Sequence, residues 1–297
     1  MKTIKSILVT AVCPFSDHAA NRGEKLLGNA SSVKRRPDGR AYLSGQMQRH
    51  VLFSAIDRLN ATDPNREDTY VANGDGISAD ISKDLRSDLG GFLITNKGDY
   101  SGRRISPISA TPAVAGKSSQ IGHDLLVRLK LNPNKDAGRK QALATNEFSQ
   151  SDDMVMNFHL DVGAVGVTKQ FEYSKQEAHV ATHYEQHIDD DEHARRIRLF
   201  LEATRTMNDY ANQARNAVSG EPRQVLIVLD PGMSRKAIRY FNDDTDQVER
   251  QHILQELEAR GAQYFIGDDT SQSGDSVYEA YQKAQTALVN NQLYRPL

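Results

Sequence analysis

Apolar strand patterns lie at both ends of this 297-residue chain, and polar irregular segments separate them. Residues 3–12 alternate loosely between aliphatic and polar side chains, which predicts a half-buried strand that Pro14 ends. Residues 225–229 form a continuous apolar strand, and residues 264–266 form another. Because strands so far apart in sequence share a core only if the chain returns to it, we predict one α/β core interrupted by two insertions.

Helical periodicity marks the remaining elements of this core. Residues 45–59 repeat apolar side chains at helical spacing after Ser44, a typical N-cap residue, and predict an amphipathic helix. Residues 197–218 carry the clearest helical pattern, and Gly220 is expected to end that helix. Residues 248–260 and 277–289 predict two further helices, so strand and helix alternate in the C-terminal third.

The two insertions lack this periodicity. Residues 61–110 are rich in turn signals and contain one short predicted helix at residues 82–88. Residues 125–131 predict one arm of a hairpin whose loop tip lies at residues 132–138. Residues 154–167 alternate again, which predicts a half-buried strand that returns to the core.

Positive charge is concentrated in one segment of a nearly neutral chain. The chain has 37 Lys and Arg and 39 Asp and Glu residues, a formal net charge of −2, so a nucleic-acid site must be a local patch. Residues 22–50 contain seven basic and two acidic residues, whereas residues 221–297 contain eight basic and twelve acidic residues. The basic segment leads into a predicted helix N-terminus. The positive charge and the helix end together indicate an anion site, and the alternative is a solvated basic loop.

Cysteine content and hydropathy restrict the cellular setting. The single cysteine, Cys13, excludes an internal disulfide and a cysteine zinc cage. No run approaches ~18 apolar residues, so no membrane span is predicted. We expect a cytoplasmic chain that does not enter a membrane.

Two other constellations are open to a chemical interpretation. His179, His183 and His187 would line one face of a helix and could hold zinc or nickel, although a polar surface is the simpler reading. Asp17 and His18 follow the first strand near Cys13, which allows a nuclease or hydrolase to be considered. The glycine-rich pieces lack the Lys-Ser/Thr of a phosphate loop, so nucleotide binding is not predicted, and no cofactor or metal is required.

The motifs around the basic segment resemble those of a known family. They are Gly28-Asn29-Ala30-Ser31-Ser32-Val33-Lys34-Arg35, then Tyr42-Leu43-Ser44-Gly45-Gln46-Met47-Gln48-Arg49-His50, then Arg103-Arg104-Ile105-Ser106-Pro107-Ile108-Ser109, and later Asn157-Phe158-His159-Leu160-Asp161-Val162-Gly163. In this order they resemble the CRISPR-associated Cascade backbone subunits, in their DevR-like branch. The resemblance spans about residues 4–167 by motif and the remainder by element order.

The resemblance implies an α/β (α+β) fold with three parts. An RRM-like, ferredoxin-like palm would comprise residues 1–60 and 154–297, a fingers insertion residues 61–110, and a protruding thumb residues 111–153. Copies of such a subunit would line up on a guide RNA, hold its sugar-phosphate backbone without reading sequence, and leave its bases free to pair with target DNA. The implied partners are the guide RNA, target DNA through the guide, neighbouring copies, and other Cascade subunits: a guide-processing ribonuclease, an end-capping subunit and a large subunit.

The charge pattern and the resemblance together yield a set of candidate RNA-binding residues. The set contains Arg22, Lys34, Arg35, Arg36, Ser44, Gln46, Arg49, His50, Arg103, Arg104, Lys135, Arg139 and Lys140. No catalytic residue and no metal ligand is assigned. The alternative is a metal-dependent endoribonuclease of the type III kind, which would cut target RNA with Asp17. Whether such a complex serves antiviral defence or guides a transposon is left open by the sequence.

Overall fold

The computed structural model describes residues 2–21, 23, 32–72, 78–95, 101–130, 140–176 and 178–296. In chain order the strands are β1 (Thr3–Ile4), β2 (Ser6–His18), β3 (Tyr42–Leu43), β4 (Phe92–Thr95), β5 (Ser101–Arg104), β6 (Ile108–Ala110), β7 (Ala113–Ala115), β8 (Ile121–Lys130), β9 (Lys140–Asp161), β10 (Val167–Tyr173), β11 (His179–Gln186), β12 (Gln224–Asp230), β13 (Gln263–Asp268) and β14 (Gln292–Leu293). The helices are α1 (Gly45–Thr62), α2 (Leu85–Gly90), α3 (Asp190–Arg205), α4 (Gln247–Ala259) and α5 (Val277–Val289). The chain therefore has a mixed α/β fold, as predicted.

One antiparallel sheet forms the centre of the fold. Its strand order is β13-β12-β2-β9-β7-β3, and β6 and β8 also pair with β9. Since β9 is antiparallel to both β2 and β7, the latter two run parallel, with α1 in the connection between them. By the same reasoning β9 and β12 run parallel on either side of β2, with α3 in their connection.

Helices cover both faces of this sheet. On one face Val9 of β2 packs in a large core with Leu52 of α1, Phe200 of α3 and side chains of α5. On the other face Leu226 of β12 packs against Ile253 of α4. The strand β12 is buried on both sides, which explains why its sequence is a continuous apolar run rather than an alternating one. No helix formed by the described residues is long and apolar enough to cross a membrane.

The structure corrects four of the predicted elements. Strand β2 continues through Pro14 to His18. Its pairing with β12 stops at Val12, opposite the first residue of β12, so this edge of β2 is unpaired at Pro14 and the proline removes no ladder hydrogen bond. Helix α3 starts at Asp190 and ends at Arg205 rather than near Gly220. Beyond it the chain folds into turns, and Asn212 adopts a left-handed φ of 63° that an α-helix cannot include.

The third correction concerns the histidine-rich segment. His179 and His183 lie on strand β11, which pairs with β10 in a two-stranded sheet, so the predicted helical stripe does not exist. Among the described residues no group of three or more His, Cys, Asp or Glu side chains could hold a metal ion. A fourth correction concerns the strand predicted at residues 154–167: it is the last part of β9, which ends at Asp161, and residues 162–164 form a 3-10 helix. Helix α1 runs three residues further than predicted, and α5 has the predicted limits. The predicted loop tip at residues 132–138 lies outside the described residues.

A buried network of charges ties the first insertion to the core. The Asp88 carboxylate at the end of α2 pairs with Arg104 of β5 and, at 2.7 Å, with Arg196 of α3. It also accepts the Gly166 backbone N–H at 2.9 Å. Arg196 is completely buried and donates further to Glu192 and to the Ile81 carbonyl. One carboxylate therefore holds together α2, β5, α3 and the turn before β10.

Replacing Asp88 with alanine should destabilise the protein strongly. Two buried guanidinium groups would lose their shared partner, and breaking such a pair costs about 3–5 kcal/mol of the free energy of unfolding. The measurement is urea unfolding of Asp88→Ala beside Asp68→Ala, whose carboxylate pairs with Lys83 on the surface and should contribute about 0–1 kcal/mol. Equal losses in the two variants would contradict this role of Asp88.

The stability should also fall in mild acid because of His159 on β9. Burial and the positive charge of Arg235 lower the pKa of His159 to about 4, against the opposing charge of Asp230. Because the unfolded chain takes up this proton near pH 6.5, the folded state loses stability as the pH falls from there towards 4, by about 2 kcal/mol at pH 5. Unfolding of the wild type and His159→Gln across this range isolates the effect, and parallel pH profiles would refute it.

Candidate nucleic-acid interface

The N-terminus of α1 is the first part of the candidate site. The Ser44 side chain caps the helix by accepting the Met47 N–H at 3.2 Å, as its position in the sequence predicts. No acidic residue lies in the first turn, so the positive end of the helix dipole is uncompensated there. A β-carbon on Gly45 would lie 3.0 Å from the Ala110 carbonyl oxygen, which explains a glycine at this close approach. Gln46, the next residue, is exposed to solvent.

The basic loop, residues 32–44, leads into this helix end. Its two sides are bridged at Arg35 and Ala41, and a turn between them closes with Gly39 at a left-handed φ of 82°. Asn21 holds the base of the loop: its amide donates to the Lys34 carbonyl at 3.0 Å and to the Tyr42 carbonyl, and its oxygen accepts the Lys34 N–H. These bonds fix the backbone that carries the exposed cations.

A second set of contacts anchors the loop to β9. The Ser119 hydroxyl accepts the Ala41 N–H at 2.8 Å and donates to Asp152 at 2.6 Å, and Asp152 also pairs with buried His18 at 2.7 Å. Burial alone would raise the pKa of Asp152, but hydrogen bonds from His18, Ser119 and Ser149 hold it below its usual value. His18 therefore has a structural partner at the base of the loop.

The cations of the loop differ in how far they are neutralised. Arg40 pairs with Asp38 at 2.7 Å and with Asp243 at 3.2 Å, and Arg35 lies 3.6 Å from Glu147. Lys34 and Arg36 are exposed and form no ion pair within the described part of the chain. The charge available to an external anion therefore comes chiefly from Lys34 and Arg36.

Arg49, one turn into α1, lies close to Arg86 of α2. Arg49 is half-buried and donates to the Gly90 carbonyl, while Arg86 of α2 donates to the Ala72 carbonyl at 3.1 Å and lies over the Phe53 ring. Burial and the positive charge of Arg86 both lower the pKa of Arg49. Neither guanidinium has a carboxylate partner among the described residues, and such a pair of like charges favours binding of an anion such as phosphate.

The other predicted residues lie in varied surroundings. His50 is exposed on α1 beside Arg49, and Arg103 is exposed on β5. Arg104, in contrast, is directed inward: besides Asp88 it donates to the carbonyls of Val167 and Ala164, both at 2.8 Å. Its guanidinium is occupied inside the protein, so we leave Arg104 out of the interface. Arg22, Lys135 and Arg139 lie outside the described residues, as does the side chain of Lys140 at the start of β9.

The residues considered for catalysis do not converge. Burial raises the pKa of the Cys13 thiol, which keeps it protonated and unreactive. Asp17 is exposed, with a left-handed φ of 46°, and its backbone carbonyl accepts a hydrogen bond from Asn216 at 2.8 Å. His18 is turned away into its pair with Asp152. The predicted neighbourhood of these three residues therefore forms no common site.

Sequence reasoning missed Asn21, Asp152 and Arg86. Asn21 and Asp152 do not carry positive charge, so a search for basic residues passes over them although they fix the loop. Arg86 lies in the turn-rich insertion, 37 positions after Arg49, and only the tertiary fold brings the two together. A search for buried polar contacts to the loop backbone would have found the first two.

Replacing Asn21 with alanine should loosen the basic loop without unfolding the protein. Three hydrogen bonds to the loop backbone would be lost, so local opening and trypsin cleavage after Lys34 and Arg35 should become about tenfold faster or more. Cleavage after Lys236, far from the loop in sequence, is the internal reference. Unchanged relative rates would show that Asn21 does not hold the loop.

Comparisons with known proteins show the family of the chain and the likeness of its fold. A family model described as "CRISPR-associated negative auto-regulator DevR/Csa2" matches residues 15–217. A chain from a solved structure described as "CRISPR RNA-guided surveillance complex" is similar with a TM-score of 0.53 and 12% identity over 95% of this chain and 99% of its own. A chain from a second, described as "CRISPR RNA-guided surveillance complex, pre-nicking", has a TM-score of 0.55 and 11% identity over 95% and 100%. At these identities the likeness concerns the fold, and no curated protein matches the chain.

Proposed function

The chain belongs to the DevR/Csa2 family of CRISPR-associated proteins, and from this we propose that it is a multi-copy backbone subunit of a type I, Cascade-like complex that targets DNA with a guide RNA. Each copy binds the sugar-phosphate backbone of the guide without reading its sequence. The guide bases stay free to pair with target DNA, so sequence recognition belongs to the RNA and the chain itself performs no chemical step.

One observation carries this proposal. Exposed Lys34 and Arg36 lie on a loop leading into the N-terminus of α1, where Arg49 and Arg86 form a second cluster without a carboxylate partner. Phosphate groups suit both clusters because guanidinium groups and helix N-terminal amides are their preferred ligands. Gln46 and His50, exposed on the same helix turn, complete the proposed RNA-binding face.

The strand order supports the palm of the proposed architecture. Strands β12, β2, β9 and β7 with helices α1 and α3 follow the β-α-β-β-α-β pattern of ferredoxin-like and RRM-like folds. The proposed fingers are residues 61–110, which the Asp88 network attaches to α3. The proposed thumb is residues 111–153. Since β6 and β7 pair with β9 in the main sheet, we expect its protruding part to begin after β7, with β8.

The proposal also accounts for the nearly neutral net charge of the chain. A subunit that repeats along an RNA needs a basic face for the guide and other faces for neighbouring copies and for the processing, capping and large subunits. Segregation of positive charge near α1, with excess acid in residues 221–297, fits that division of surfaces.

Co-expression with a CRISPR array and its processing enzyme tests the proposal. The wild type should elute as a large species that absorbs strongly at 260 nm because of its bound RNA, and ribonuclease should reduce its size. The chain has no tryptophan and 11 tyrosines, so its own ultraviolet absorbance is weak and does not hide that of the RNA. Lys34→Ala combined with Arg49→Ala should remain folded but fail to assemble on RNA. A double variant that still forms RNA-bound assemblies would overturn the proposed interface.

A charge-matched control separates a local site from general attraction. Lys236→Ala with Lys283→Ala removes the same charge from exposed ion pairs elsewhere and should assemble normally. With purified chain and single-stranded RNA, loss of two phosphate contacts should reduce the slope of log K against log salt by about 1.4. Equal slopes in both double variants would contradict the assignment of Lys34 and Arg49.

The endoribonuclease alternative has its own test in the same complex. Cutting of target RNA at regular intervals in the presence of Mg²⁺, lost in Asp17→Ala, would replace a binding role with a catalytic one. The contacts of Asp17 give no reason to prefer this alternative, since its backbone carbonyl bonds Asn216 and its side chain is exposed. Uncut target would leave the scaffold proposal in place.

A further inference from the structure

A separate two-stranded hairpin follows the main sheet. Strands β10 and β11 pair only with each other among the described strands, and both lie between β9 and α3 in sequence. Nearly all of their side chains beyond Val167 are exposed or half-exposed. A two-stranded sheet of this kind is only marginally stable alone in water, so large exposed rings on it require a reason.

The two faces of this hairpin differ in chemistry. Beyond the first pair of one face, Val167 and Gln186, the strand register places six residues on it. We name these six the aromatic face: Lys169, Phe171, Tyr173, His179, Thr182 and Tyr184. The opposite face carries Gln170, Glu172, His183 and Glu185. Their polar side chains pair with one another, His183 with Glu172 and Gln170 with Glu185. The aromatic face therefore has a lysine, a histidine and three rings, with no carboxylate among its described residues.

The rings of the aromatic face support one another by their edges. Phe171 lies 6.0 Å from His179 and 6.4 Å from Tyr173, and the Tyr173–His179 distance is 6.2 Å, all with tilted or perpendicular planes. None of these pairs is stacked face to face. Phe171 is 51% exposed and Tyr173 is 60% exposed, so about half of each residue is accessible to a planar ligand.

A cation accompanies the exposed rings. The Lys169 ammonium lies 5.0 Å from the centre of the Phe171 ring and 6.0 Å from that of Tyr184. His179 is held in place by a 2.9 Å hydrogen bond between its ring and the Thr182 hydroxyl. Open rings beside a positive charge, on a face without carboxylates, match the two components of a nucleotide: a planar base and a phosphate.

We propose that the aromatic face binds single-stranded nucleic acid by stacking bases on Phe171 and Tyr173, with Lys169 pairing a phosphate. A second copy of the chain would also bury the exposed rings, and the measurements below separate that occupant from a nucleic acid. The charge of the face is complementary to a polyanion. This site is independent of Lys34 and Arg49, so it goes beyond the guide-binding role proposed above.

A single tryptophan at the site supplies a local probe. The chain contains none, so Phe171→Trp makes residue 171 the only source of tryptophan emission. The titrants are 12-nucleotide deoxyadenosine and adenosine oligomers and an abasic deoxyribose-phosphate oligomer of the same length. We expect both base-bearing oligomers to quench the emission and the abasic oligomer, which has the same charge, to leave it unchanged. A preference between the first two distinguishes DNA from RNA as the natural strand.

Removal of the rings provides a second measurement. Phe171→Ala with Tyr173→Ala should weaken binding of a fluorescein-labelled oligomer about 20-fold or more, since each lost stack weakens it about fivefold or more. These variants are compared in the background of Lys34→Ala with Arg49→Ala, so that the α1 interface does not dominate. Gln170→Ala with His183→Ala, on the opposite face of the same strands, is the matched control and should bind as its background does.

Three results would overturn this proposal. They are equal quenching by the abasic oligomer, unchanged affinity after removal of the rings, and tryptophan emission that responds to protein concentration or assembly but not to oligomers. The last result would assign the aromatic face to contact between copies. Failure of the guide-binding proposal is seen separately, as absence of RNA-bound assemblies in the wild type, and leaves the titration of residue 171 unaffected.

Discussion

The buried carboxylate of Asp88 is the contact on which the arrangement of the chain depends. Residues 61–107 have little periodicity and contribute few apolar side chains to the core, so they cannot fix their own position by hydrophobic packing alone. Asp88 supplies that position through Arg196 on α3 and the Gly166 N–H. Its other partner, Arg104 of the same segment, donates to the Val167 and Ala164 carbonyls. Buried charges of this kind are costly to desolvate and are most useful where they specify one geometry. Here the specified geometry places α2, and with it Arg86, beside Arg49.

The same logic applies to the basic loop. A run of three consecutive cations repels itself, and such segments are commonly solvated and variable in conformation. The chain compensates with neutral and acidic groups below the loop: Asn21 bonds both sides of its base, and Asp152 reaches it through Ser119. The cations are thereby presented on a fixed backbone, and binding a phosphate polymer requires less ordering of the loop.

Sequence reasoning succeeded where local pattern and burial agree. The apolar run of β12, the α5 helix and the Ser44 cap follow from their own residues, and the structure confirms them. Sequence reasoning failed where tertiary contacts decide the local structure. Pro14 lies inside strand β2 because β12 pairs with β2 only as far as Val12. Residues 207–218 have apolar side chains at helical spacing, but these side chains reach the core from turns and irregular chain. At the site, Lys34 and Arg36 were visible as charge. The pairing of Arg49 with Arg86 was not, because it exists only after the insertion is placed.

The length of β9 has a mechanical consequence. Its 22 residues extend about 70 Å and pair with β2 over the C-terminal part and with β8 over the N-terminal part. Because β9 is continuous between the two regions, the β8–β9 arm has no hinge at the point where it leaves the main sheet. Side chains alternate along a strand, so insertion or loss of one residue there would exchange the two faces of the β8–β9 arm relative to the sheet. Descendants of this chain are therefore expected to change the length of that strand in steps of two residues, which keeps the outer arm in phase with the body that carries it.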